Sequence, residues 1–71
     1  MTMRRTRRPT LHEARVCAGL TQDQLAARAG LAQTTISLIE RGRTEYIRRR
    51  TRARLALALA VPEASIDWGL R

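Results

Sequence analysis

The most constraining stretch of this chain is Leu20 to Gly42, LTQDQLAARAGLAQTTISLIERG, because its pattern restarts in the middle. Thr21 followed three residues on by Gln24 is the signature of a capping box, in which side chains satisfy the free amides of a first helical turn. Leu25, Ala26 and Ala29 then form an apolar stripe, so a helix is predicted from Gln22 to about Ala29. Ala29-Gly30-Leu31 breaks it. A second helical pattern runs from Ala32 or Gln33 to about Arg41. In it Ile36 and Ile39 share one face, Gln33, Thr34, Ser37 and Leu38 point elsewhere, and Gly42 supplies the stop. The outward face of this second helix is small and polar rather than charged, which suits a surface that fits into something.

Two short helices joined by a tight glycine-containing turn are a helix-turn-helix unit. The run resembles the DNA-binding helix-turn-helix of the lambdoid phage repressor and Cro family, the XRE-like regulators. The matching pieces are Leu20-Thr21-Gln22, Leu25-Ala26, Ala29-Gly30-Leu31, Thr35-Ile36-Ser37 and Ile39-Glu40-Arg41-Gly42, in order and at matching spacing. The resemblance extends from about Leu11 to Trp68.

Composition points the same way by a separate route. The 71 residues suffice for one domain with a small core. A net charge of +8 calls for a polyanionic partner, nucleic acid first and an acidic membrane surface second. Every basic residue is Arg, which favours bidentate phosphate and guanine contacts, although a coding bias of the source genome explains the absence of Lys equally well. One Cys and one His build neither a disulfide nor a metal site, so no metal and no cofactor are expected. No apolar run approaches a membrane span, and Met1 to Pro9 lacks the apolar segment of a signal peptide. The expectation is a soluble cytoplasmic protein.

Residues 1–9 (MTMRRTRRP) are expected to be an arginine-rich flexible arm, either tracking phosphates and a minor groove or merely adding charge. Residues 10–71 are expected to form the DNA-binding domain. Thr10 with Glu13 repeats the capping-box pattern and opens a helix to Ala18, with Leu11, Ala14 and Ala18 as its stripe. Gly19 ends that helix and Leu20 tucks back into the core. His12 and Cys17 read as surface and small packed residues without chemistry. Arg15 falls beside the stripe, where a charge needs an acidic partner. By resemblance that partner is Glu40, the pair fixing how two helices meet.

The resemblance further implies that Gln22 binds a DNA phosphate and braces the first residue of the recognition helix. In this motif class the N-terminal half of the second helix enters the major groove. There Gln33 can bond an adenine edge, Thr34 and Ser37 can bond bases or phosphates, and Leu38 offers a contact to a thymine methyl. Relatives usually have Ser or Thr where this chain has Ala32, and often a polar or basic residue in place of Leu38. The missing side-chain cap at Ala32 costs about 1 kcal/mol. Arg41 and Arg43 are phosphate candidates.

From Arg43 to Arg54 the chain departs from its relatives, with a loop longer by a residue or two. Ile47, Thr51, Leu55, Ala58 and Leu59 recur on one face and predict a fourth helix from about Tyr46 to Ala60, ended by Val61-Pro62. The alternating LALALA run would suit a strand, but Leu and Ala are strong helix formers and a lone strand has no partner. Arg48, Arg49 and Arg50 lie near that helix's N-terminus, where positive charge is disfavoured, which suggests a clamp on the DNA backbone. The tail resembles a closing turn, with Ile66 and Trp68 returning to the core.

The expected fold is therefore all-α, a four- or five-helix lambda-repressor-like domain. The expected function is a non-enzymatic, sequence-specific DNA-binding regulator, a repressor or autoregulator that reads half-sites of double-stranded DNA as a homodimer. No catalytic residues are recognised. Two alternatives are an antitoxin-type module holding a small protein partner and an RNA binder using Arg48 to Arg54.

Overall fold

The computed structural model describes residues 7–69. Within them the chain is all-α: α1 (Leu11–Cys17), α2 (Gln22–Ala29), α3 (Gln33–Glu40), α4 (Arg49–Leu59) and a closing 3-10 turn, Glu63–Ser65. The beginnings of α1 and α2 follow from local chemistry. Thr10 Oγ1 accepts from the Glu13 amide at 3.1 Å while Glu13 Oε1 accepts from the Thr10 amide at 2.9 Å. Thr21 and Gln24 do the same at 3.0 and 2.9 Å. Each box satisfies two of the amides that a helix start leaves free. α3 and α4 begin at Ala32 and Arg48 with no side-chain cap.

All four helices end alike. At the close of α2, Gly30 takes a φ of 70° and the Leu31 amide reaches back to the Ala26 carbonyl at 2.9 Å. That left-handed residue turns the chain sharply enough to start α3 three residues later. Gly19 and Gly42 close α1 and α3 in the same way. At the end of α4 the position falls to Ala60, with a φ of 58° and Val61 N–H on the Ala56 carbonyl at 3.0 Å. A side chain there is strained by about 1–2 kcal/mol.

α2 is the hub, packing against both α3 and α4, while α1 meets α3 and the 3-10 turn meets α4. Each segment contributes one fully buried aliphatic side chain: Leu11, Leu25, Ile36, Leu55 and Ile66. With no Phe in the sequence, the core is Leu, Ile and Ala, with Trp68 half-buried over it. The Trp68 indole N–H donates to the Glu63 carbonyl at 3.1 Å.

Several boundaries differ from expectation. α1 ends one residue early, at Cys17, which leaves Ala18 exposed, and Arg15 rather than Ala18 completes the buried stripe. α4 starts at Arg49, three residues after Tyr46. Ile47 is buried as the spacing implied, but from non-helical chain: Arg48 is extended, and Arg52 Nη1 donates to the Ile47 carbonyl at 2.9 Å. Ala56, outside the predicted stripe, is buried. The left-handed Ala60, not Pro62, stops α4. Most of the 1–9 arm, residues 1–6, lies outside the described residues. At its C-terminal end, Arg8 donates to the Ala64 carbonyl at 3.2 Å and the Pro9 carbonyl accepts from the Asp67 amide at 2.8 Å.

Candidate nucleic-acid interface

Burial of Ile36 and Ile39 determines which way α3 presents its other residues. At a helical repeat of 3.6 residues, Gln33, Thr34, Ser37 and Leu38 then share the opposite side. Gln33, Thr34 and Leu38 are exposed and Ser37 is half-buried. Thr35 is also half-buried, at the edge of that face. Arg41 and Arg43, both exposed, follow directly as the helix ends.

Beneath this face runs a polar chain through three helices. Arg15 of α1 binds Glu40 at the end of α3 through two bonds, Nε to Oε2 at 2.6 Å and Nη2 to Oε1 at 3.1 Å. Its Nη1 donates to the Leu20 carbonyl at 2.7 Å. Side-chain exposure is only 11% for Arg15 and 5% for Glu40, so each charge depends on the other for its solvation. Glu40 Oε1 also accepts from Gln22 Nε2 of α2 at 2.9 Å, and Gln22 Oε1 accepts from Gln33 Nε2. The buried ion pair is thus connected, through one glutamine, to the first residue of α3.

Burial alone would push the Glu40 carboxyl upward. Hydrogen bonds from Arg15, Gln22 and His12, together with the Arg15 charge, outweigh it and hold the group below its ordinary value. The same hydrogen bond to Glu40 raises Arg15 against the opposing effect of burial.

His12 is the participant that sequence reasoning passed over. Its ring is more than half exposed, yet Nδ1 lies 3.1 Å from both Glu40 Oε1 and Arg15 Nη2. Its partner Arg15 is one helical turn away on α1, which was a readable signal. The partner Glu40 is 28 positions away and was not.

The remaining arginines divide. Arg48, Arg49 and Arg50 are exposed around the uncapped start of α4, whose first turn holds no acidic residue. Arg48 borders a groove that also includes Leu38 of α3, whereas Arg49 and Arg50 are not part of its lining. Arg52 is engaged internally, its Nε 3.0 Å from Glu63 Oε2, so Arg48 to Arg54 is not one continuous free basic face.

Among the described residues no His, Cys, Asp or Glu cluster could hold a metal ion, and no helix is long and apolar enough to cross a membrane. No curated protein and no solved structure matches the chain. A family model does, and it spans all of the elements described above. The chain belongs to the helix-turn-helix domain family, a family of DNA-binding proteins, whose model matches residues 4–68.

Proposed function

We propose that the protein is a sequence-specific transcriptional regulator of the lambdoid repressor and Cro, or XRE-like, kind, acting as a repressor or autoregulator. Residues 10–71 are its DNA-binding unit and residues 1–9 an arginine-rich arm. The observation that carries this reading is the exposed face of α3, whose leading residue is held by a side chain of α2.

In a major groove, the Gln33 amide has the atoms adenine requires. One Nε2 proton goes to Gln22, leaving the other proton and Oε1 for the N7 and N6 edge. Gln22 likewise donates one proton to Glu40 and keeps one for a phosphate. Thr34 and Ser37 supply hydroxyls to bases or phosphates, and Leu38 an apolar surface. Arg41, Arg43, Arg48, Arg49 and Arg50 grip the backbone on either side. A phosphate near Arg48 to Arg50 offsets the unfavourable placement of three cations at the start of α4.

One short helix reads few base pairs, so two copies bind as a homodimer across a palindrome, with half-site centres roughly 34 Å apart. Selection of bound duplexes from a random library, with RNA hairpins as competitors, tests the proposal. A two-fold-symmetric duplex resistant to RNA competition is expected. Enrichment of no sequence, or stronger competition by hairpins, would overturn it.

A further inference from the structure

Among the described residues four large apolar side chains stand in water: Val16, Leu38, Tyr46 and Leu57. Two of them, Leu38 at 43% exposure and Tyr46 at 69%, line the same groove. It lies between α3 and the chain leading into α4, with Thr35, Ile47 and Arg48 also in its lining. Leu38 shares the face of Gln33 and Thr34, so whatever meets that face meets the groove.

Charge decides among occupants. Arg41, Arg43 and Arg48 are exposed close by in sequence or in the lining itself. A second copy docked here in a two-fold contact would set those cations against themselves. A polyanion would not. Of the base edges in a major groove, only thymine offers an apolar group, its 5-methyl. We propose that the Leu38–Tyr46 groove receives the methyl group of a thymine in each half-site, with both side chains as specificity-determining contacts. The inference rests on α3 being the major-groove helix, and it adds Tyr46 to the residues that read sequence.

The test replaces each thymine of a selected duplex with deoxyuridine in turn, which deletes one methyl and preserves pairing. At one thymine per half-site binding should weaken about fourfold, the equivalent of burying one methyl group. That discrimination should disappear in Leu38→Ala and in Tyr46→Ala. The first measurement alters only the DNA, so it does not depend on how the variants fold. If no uridine weakens binding while the duplex is still preferred over random DNA, the groove proposal is wrong and the major-groove reading stands. If no duplex is preferred at all, both are wrong. Discrimination that persists in both variants also overturns the proposal. So does loss of self-association in Leu38→Ala without DNA, which would assign the groove to a protein contact.

Discussion

The half of the chain up to Glu40 and the opening of α4 in the half after it treat their polar groups in opposite ways. In the first, α1 and α2 open on threonine capping boxes, and Arg15, Glu40, Gln22 and Gln33 form a connected chain of hydrogen bonds. In the second, α4 opens on an uncapped arginine followed by two more, and it closes on a strained alanine. Groups satisfied internally hold geometry. Groups left outward are offered to something else, and the helices' own stability is lower for it. α3 combines the two behaviours, because its end is tied down through Glu40 while its start, at Ala32, is uncapped.

The largest expected effect is on the satisfied half. Glu40→Ala strands a buried guanidinium and should cost about 3–5 kcal/mol of stability without DNA. Replacing both partners, Arg15→Met with Glu40→Leu, should recover most of it. An unchanged melting curve for Glu40→Ala would show that the pair does not hold the helices. The lowered Glu40 carboxyl adds a pH signature. Its contribution is complete above the ordinary value of 4.5 and is lost as pH falls through the lower folded value. The acid limb of the stability curve should therefore flatten in Glu40→Ala, and an identical limb would argue against the ion pair.

Where the polar chain reaches the surface, the effect should move from stability to recognition. Gln33→Ala is expected to cost about 1–3 kcal/mol on the selected duplex and little on random DNA. Equal losses on both would remove Gln33 as a reader.

The outward half should behave inversely. Arg48→Ser installs the missing cap and should raise stability by about 1 kcal/mol. The same change should lower the salt dependence of DNA binding by about 0.9 in slope, one phosphate contact. Lower stability, or an unaltered slope, would break the contrast between the two halves. The smallest effect concerns Ala60, which is exposed. Ala60→Gly relieves about 1–2 kcal/mol of backbone strain and adds about 0.4–1 kcal/mol of unfolded-state entropy. The net gain should be about 0.5–1 kcal/mol in thermal denaturation, and a loss would refute the strain.

What was legible in the chain was what is encoded within a turn of helix. Thr10 with Glu13, Thr21 with Gln24, and the glycines after α1, α2 and α3 signal their roles through neighbours three to five residues away. The all-α class, the helix-turn-helix and the outward face of α3 follow from those signals together with the spacing of Ile36 and Ile39. The start of α4 was not legible. Ile47 lies in helical register with Thr51 and Leu55, and the spacing cannot show that its carbonyl is held by Arg52, which also binds Glu63.

By itself, then, the order of residues determined how α1 and α2 begin, how α2 and α3 end and which stripe of α2 and of α3 is apolar, since those choices are made by near neighbours along the chain. The tertiary structure alone decided that His12 joins Arg15 at Glu40, that Gln22 links this pair to Gln33, and that Leu38 and Tyr46 share one groove. Each of those arrangements depends on a contact between different segments, and only the packing of α2 against α3 and α4 and of α1 against α3 brings them within reach.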